Sequence, residues 1–312
     1  MKPILVVGSL NIDFVINTPR HPAAGQTLSG SRFDVFPGGK GANQAYGAAK
    51  LGGQVAMLGQ LGNDAHAGWL RQHLKEGGVD TAVIQNDDTV SSGVAFIIIE
   101  ADSGQNRIII VPGANGTFSS ARLEASEKLF AGAGFVLLQL EVPLETTVRA
   151  AKLGKQHGAC VILDPAPAQP IGRDLLELVD YVTPNETELE ALTGGDTSPP
   201  AEPHAELVRR AEMLRDLGAR KVIVKRGGQG ATLVSEAGSC SWPALPVNAV
   251  DTTAAGDCFN AAFAVALAEG KSEDEAGLFA TTAASISVTR AGAQPSMPNR
   301  IEVDRALAER GR

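Results

Sequence analysis

The sequence predicts an α/β fold: a doubly wound, mostly parallel central sheet with helices on both faces, plus a small antiparallel β lid. Three observations carry this. From Gln54 onward, short apolar runs alternate with stretches of helical spacing, the rhythm of strand–helix units. The strand-like runs, beginning with Ile4–Val7, are continuously apolar, as expected for strands covered on both faces. Between residues 13 and 36, by contrast, two strand-like segments are joined by a loop rich in Pro and Gly (Pro19, Pro22, Gly25) with no helix between them, which sets them outside a parallel sheet.

Taken in order, strand 4–7 ends at Gly8-Ser9-Leu10-Asn11-Ile12-Asp13, and residues 13–18 and 28–36 form the first lid pair. Pro37-Gly38-Gly39-Lys40-Gly41-Ala42-Asn43 then opens a helix with Ala42, Ala45, Tyr46 and Ala49 on one face and Gly52-Gly53 at its end. Strand 55–59, helix 64–76 and strand 82–85 follow. Segments 93–99 and 107–111, joined across Asp102-Ser103-Gly104-Gln105-Asn106, make a hairpin that completes the lid, so its bounds are 13–36 and 92–111. Residues 119–130 read as one helix. Strands 135–140, 160–163, 181–182 and 221–224 alternate with helices 144–156, 186–192 and 206–217, and the Gly/Pro-rich stretch 194–203 reads as an exposed loop. Strands 231–234 and 239–245 lead into a helix with Phe259, Ala262, Phe263, Ala266 and Leu267 on one face, closed by Gly270. Helix 275–288 turns Ala276, Phe279, Ala280 and Ala283 inward, and a last amphipathic helix starts near Ile301. The chain reads as one domain, 1–312, carrying the lid.

Composition narrows the partners. Among 312 residues, 44% are apolar and the net charge is −8, with no basic stripe, which argues against a nucleic-acid partner. No run approaches the ~20 apolar residues of a membrane span, and the apolar start is too short for a signal peptide. Cys160, Cys240 and Cys258 are scattered without metal-ligand spacing, pointing to a reducing, cytoplasmic setting. The apolar lid strands are more than a solvated flap should expose, so a partner is expected to cover them.

In parallel sheets, ligands bind beyond the carboxyl ends of the strands. Asn11, Glu141, Asp164, Asn185 and Lys225 all stand there. In Ala254-Ala255-Gly256-Asp257, small residues precede a buried helix, so free N–H groups and the helix dipole would favour an anion. Asp257 at that mouth is either an N-cap or a base working beside a bound phosphoryl group. The glycines at 38, 39 and 41 with Lys40 and Asn43 fit either a tight turn or a ligand-embracing loop, and the Walker A spacing is missing.

Six segments in order resemble the ribokinase/PfkB family of carbohydrate kinases: Gly8-Ser9-Leu10-Asn11-Ile12-Asp13, Gly38-Gly39-Lys40-Gly41-Ala42-Asn43-Gln44-Ala45, Gln139-Leu140-Glu141, Thr183-Pro184-Asn185-Glu186-Thr187-Glu188, Asp251-Thr252-Thr253-Ala254-Ala255-Gly256-Asp257 and Thr289-Arg290-Ala291-Gly292-Ala293-Gln294-Pro295-Ser296. The resemblance covers nearly the whole chain. It implies transfer of the γ-phosphoryl group of ATP to a primary sugar hydroxyl, the 5-hydroxyl of D-ribose in the first instance. Asp257 would be the base, with an anion hole over Ala254, Ala255 and Gly256. Asn11, Asp13, Gly38, Gly39, Lys40, Asn43 and Glu141 would hold the sugar. Asn185, Lys225, Arg226, Gly227, Gly228, Gln229, Gly230, Gly256 and Thr281 would hold the nucleotide. Asn185 and Glu188 would serve Mg²⁺ indirectly, and Asp251, Thr253, Ser287, Arg290, Gly292 and Ser296 would hold an activating K⁺. A homodimer through the lid is also implied.

Two positions depart from the family pattern. Lys225 stands where a small hydroxyl residue is usual, and either contacts phosphate or points to solvent. Cys258 follows the base where Thr or Ser is common; it is either a thiol activated by the helix N-terminus or a small buried residue. Alternative acceptors are 2-deoxyribose, another sugar or a nucleoside, the last served by stacking from Phe14, Phe33 or Phe36. A sugar-sensing protein without catalysis is a further alternative, against which the intact Asp257 speaks.

Overall fold

The computed structural model describes residues 1–101, 105–194 and 202–310. The central sheet has eight strands in the order Val55–Leu58, Ile4–Val7, Phe135–Leu138, Cys160–Leu163, Tyr181–Val182, Val222–Lys225, Ala231–Ser235 and Gly238–Trp242. The first six are parallel; Ala231–Ser235 runs antiparallel to them and Gly238–Trp242 antiparallel to it in turn. Alternate side chains enter two separate cores, which is why the strand sequences are apolar throughout. Ile4 and Val6, with Leu137 and Ile162, pack on one face under helices Lys40–Lys50, Ala255–Ala268 and Glu273–Ser287. Leu5 and Val7, with Val136, Leu138, Val161 and Leu163, pack on the other under Leu144–Gln156 and Pro203–Asp216.

Helix Ala255–Ala268 is deeply enclosed: every residue from Asp257 to Ala266 is buried, which anchors the helix at the carboxyl edge of the sheet. Helix Glu273–Ser287 lies alongside. A Cβ on Gly277 would fall 2.0 Å from the Trp242 ring, so the missing side chain is what lets helix and indole meet.

The lid is a separate four-stranded sheet ordered Arg32–Gly38, Asn11–Thr18, Gly93–Glu100 and Asn106–Val111. It corrects one expectation: the sheet is mixed rather than antiparallel throughout. The outer pairs are antiparallel, but Asn11–Thr18 and Gly93–Glu100 run parallel, with Asn11 opposite Gly93. The chain leaves the lid after Gly38, passes through two helices and three short strands, and re-enters at Gly93 in the same direction as Asn11–Thr18. Phe14 stacks between Phe33 and Phe96, with ring centroids at 5.9 and 5.3 Å.

Boundaries shift elsewhere. Segment 28–36 becomes strand only from Arg32; 82–85 is mostly turn, followed by Gln85–Asp87. The helix expected over 119–130 is two short ones, Ser120–Glu124 and Glu127–Gly132. The strand expected over 239–245 stops at Trp242, because Pro243 has no N–H to continue the ladder. The tip of the 102–106 connection and most of the 194–203 loop lie outside the described residues.

Candidate active site

Close backbone approach builds one half of the site. Asn11 pairs with Gly38 across the lid strands. A Cβ on Gly38 would sit 2.1 Å from an Asp13 carboxylate oxygen, and one on Gly39, whose φ is +88°, would sit 2.8 Å from the Asn11 nitrogen. A Cβ on Gly41 would lie 2.6 Å from the Ser9 nitrogen. These glycines therefore let the start of helix Lys40–Lys50 settle onto the end of strand Ile4–Val7. Glu141 receives the Ser9 hydroxyl at 2.5 Å and the Lys40 backbone N–H at 3.0 Å. Asn115 holds Asn11: its amide donates to the Asn11 Oδ1 at 2.7 Å and to the Leu10 carbonyl, and its own Oδ1 takes the Leu10 N–H.

Asp257 is 4% exposed, and each of its carboxylate oxygens accepts one amide. Asn43 Nδ2 donates to Oδ2 at 3.0 Å, and Gln44 Nε2 to Oδ1 at 3.1 Å. Each amide is oriented in turn by a buried glutamine. Gln294 donates to the Asn43 carbonyl at 3.2 Å, and Gln139 to the Gln44 carbonyl at 2.7 Å. The two arms fix both amides with their NH₂ groups toward the carboxylate. Burial raises the Asp257 pKa and nearby Asp164 adds to this, while Lys40 and the two amides oppose it; the net direction is upward. The Asp13 carboxyl is pushed up to about 7, first by burial and then by Glu141 and Asp257. For Lys40, burial alone would lower the pKa, but Asp257, Asp164, Glu141 and Glu188 together leave it raised and the ammonium charged.

The other half is an open cavity of about 470 Å³. Its polar rim includes Lys40, Asp164, Asn185, Glu188, Lys225 and Asp257. Its backbone floor is Ala254–Gly256 on one side and Gly227, Gly228 and Gly230 on the other, with Thr281 deeper in. Of the turn expected to hold nucleotide, only the glycines line the cavity. Arg226 and Gln229 pair with each other, and Arg226 also faces Glu186. Lys225 does not point to solvent: its Nζ lies 2.9 Å from Asp164 Oδ1, with the two side chains 12% and 2% exposed.

Asn185 and Glu188 both line the cavity, and they also form a reciprocal capping box. Glu188 N–H donates to the Asn185 side chain at 2.7 Å, and Asn185 N–H to Glu188 at 2.8 Å. Asp251 ties two distant segments together, accepting the Thr253 N–H at 2.9 Å and the Gly292 N–H at 2.8 Å. Ser287 donates to the Ala284 carbonyl and Ser296 to the Ala293 carbonyl. Cys258 is no activated thiol: burial pushes it up to about 12. A second cavity, of about 400 Å³ at the amino ends of the strands, is lined by Lys155, Asp180, Arg220 and Lys221. Its cations are already spent on Asp180 and Glu273.

Sequence reading did not assign Gln44, Gln139, Asn115 or Gln294. Gln44, Gln139 and Gln294 do lie in the motif segments; Asn115 stands in a polar loop with no signal beyond its neighbourhood of Gly113 and Gly116.

An α/β sheet with a buried carboxylate at a helix N-terminus, beside an open cavity at the carboxyl ends of the strands, defines a small-molecule site. A family model described as pfkB family carbohydrate kinase matches residues 1–300, and the chain belongs to that family. It is similar to ribokinase of Haemophilus influenzae, 40% identical over 96% of this chain and 97% of that one. The deoxyribokinase of Salmonella typhi is 37% identical over 95% of each. The structure of Arabidopsis thaliana ribokinase complexed with ribose and ATP superposes with a TM-score of 0.91 and 38% identity, covering 98% of this chain and 99% of that one. The chain is an ATP-dependent carbohydrate kinase.

Proposed function

We propose that the chain transfers the γ-phosphoryl group of ATP to the 5-hydroxyl of D-ribose, giving D-ribose 5-phosphate and ADP. The observation that carries this is Asp257, buried and clamped through both oxygens, at the junction of the sugar residues and the cavity. Asp257 is the base. Its raised pKa brings it nearer the working pH than a free carboxylate and so makes it a better proton acceptor. Phosphoryl transfer has a loose transition state, so most of the work is positioning and charge stabilisation. Helix Ala255–Ala268 supplies that: Gly256 and Asp257 in its first turn line the cavity, and their N–H groups would hold the transferring oxygens. Asn11, Asp13, Gly38, Gly39, Lys40, Asn43 and Glu141 form the sugar site, a polyol needing both donors and acceptors. Gly227–Gly230 and Thr281 take the nucleotide.

Asn185 and Glu188 fit an indirect role toward Mg²⁺, which keeps much of its own water. Mg²⁺ when bound would neutralise phosphate charge. Asp251 accepts the Thr253 and Gly292 N–H groups and so joins their two loops; one carboxylate with the carbonyls of Thr253, Ser287, Arg290 and Gly292 and the region of Ser296 would suit a large monovalent cation such as K⁺. The test is ADP release with ribose, 2-deoxyribose, nucleosides and fructose phosphates, in K⁺ and in Na⁺-only buffer. Ribose in K⁺ should be fastest. Preference for 2-deoxyribose would favour the reading supported by the deoxyribokinase relative, and no ADP with ribose would overturn the assignment of the acceptor.

The lid exposes Phe33, Val35, Phe96, Ile108, Ile109, Ile110 and Val111, the last four on alternate faces of its edge strand. An apolar patch of this kind marks an interaction surface, and a homodimer through the lid covers it. Sedimentation at micromolar concentration should give twice the chain mass; a monomer there contradicts the dimer. A cytoplasmic setting agrees with three free cysteines, and among the described residues no helix is long and apolar enough to cross a membrane.

A further inference from the structure

Lys225 closes strand Val222–Lys225, and its main-chain N–H is fixed to the Pro184 carbonyl at 2.8 Å. Its side chain does not leave the protein. The ammonium is 2.9 Å from Asp164, and a Cβ placed on Gly256 would lie 3.0 Å from Nζ. Lys225 is therefore pressed against the first turn of helix Ala255–Ala268, on the wall of the nucleotide cavity. Among the described residues, no hydrogen bond takes the N–H of Gly256 or of Asp257. One of the three ammonium donors is used on Asp164, which leaves two for a ligand. Asp164 in turn receives Gln44 Nε2 at 3.1 Å, the same amide nitrogen that holds Asp257. Lys225, Asp164, Gln44 and Asp257 are thus one connected row from the cavity wall to the base.

We propose that Lys225, aimed by Asp164, binds the γ-phosphoryl group of ATP alongside the N–H groups of Gly256 and Asp257, so that this chain selects ATP over ADP through a side-chain cation. This rests on reading the cavity as the ATP site. A purely structural ion pair would account for the contact with Asp164. It would not account for a mostly enclosed ammonium set against the first turn of the helix with donors to spare. Asp164 is a positioning residue: it orients Lys225 and shares Gln44 with the base.

Replacing Lys225 alone would strand a buried carboxylate, which can unfold the chain, so the decisive variant is Lys225→Met with Asp164→Asn. Calorimetry would compare ADP with the non-hydrolysable ATP analogue bearing nitrogen between its β- and γ-phosphates, on variants whose melting temperature matches the parent. Affinity for the analogue should fall about 10- to 100-fold, the factor a charge-assisted hydrogen bond supplies, while ADP affinity stays within about 3-fold. Asp164→Asn alone, which keeps the cation but loosens it, should show a smaller loss confined to the analogue. Unchanged analogue affinity in the double variant, or equal losses for both nucleotides, overturns the proposal. A parent chain that binds neither nucleotide overturns the nucleotide reading of the cavity, and the Lys225 proposal with it.

Discussion

The two halves of the site are built on opposite plans. On the sugar side, Asn11, Asn43, Gln44, Glu141 and Asp257 each hold or are held by at least one other side chain or backbone N–H. On the proposed nucleotide side, glycine backbone and apolar residues such as Leu245, Val247, Phe259 and Val288 line an open cavity alongside its polar rim. The difference follows from what each must recognise. A small polyol offers little apolar surface, so discrimination rests on hydrogen bonds whose partners are already in place. A nucleotide brings a large base and a charged tail, so shape, dipoles and a few cations suffice.

The comparison breaks most visibly at the residue both halves share. Asp257→Asn should lower turnover by about 10²- to 10⁴-fold, the usual contribution of a positioned base, with ADP affinity retained by calorimetry. Near-normal turnover would sink the assignment. The next largest effect belongs to the sugar half alone. Gly38→Ala puts a methyl 2.1 Å from the Asp13 carboxylate, which has to move. The sugar KM should rise by about tenfold or more, as for loss of a buried hydrogen bond, and the ATP KM should not. If both KM values rise together, the halves are not independent.

The smallest effect sharpens the electrostatic side of the contrast. Asp13 holds its proton up to about 7 in the folded chain against 3.8 as its ordinary value. Folding then takes up a proton between those values, so this group's contribution to stability falls as pH rises from about 4 to about 7 and is flat above. Asp257 acts in the same direction. The ligand-free chain should melt at a lower temperature at pH 8 than at pH 5 on their account, and Asp13→Asn should flatten part of that slope. A slope unchanged in this variant would show that the strain lies elsewhere.

Much of this was legible beforehand because the signals are local. Strand Ile4–Val7, helix Leu144–Gln156 and strand Cys160–Leu163 fall where apolar runs and spacing put them. Gly38, Gly39 and Gly41 were readable as a close-approach loop because few other reasons crowd three glycines into four residues. The lid's parallel central pair was not readable, since strand direction depends on the route the chain takes between residues 38 and 93. Nor was the turn over 82–84, where local apolarity mimics a strand.

The sequence by itself determined the α/β alternation, the family and the segments that converge at the carboxyl ends of the strands, because periodicity and glycine spacing are properties of neighbouring residues. Only the tertiary structure decided what those residues do to one another. Asn43 and Gln44 are adjacent in sequence, but Gln294, Gln139 and Asp164 reach them from three other segments, with Lys225 joined through Asp164, only once the sheet is assembled. A buried carboxylate such as Asp257 acquires its pKa and orientation from partners more than 200 residues away along the chain. Hydrogen bonds and desolvation act through space, and a linear pattern carries no record of that distance.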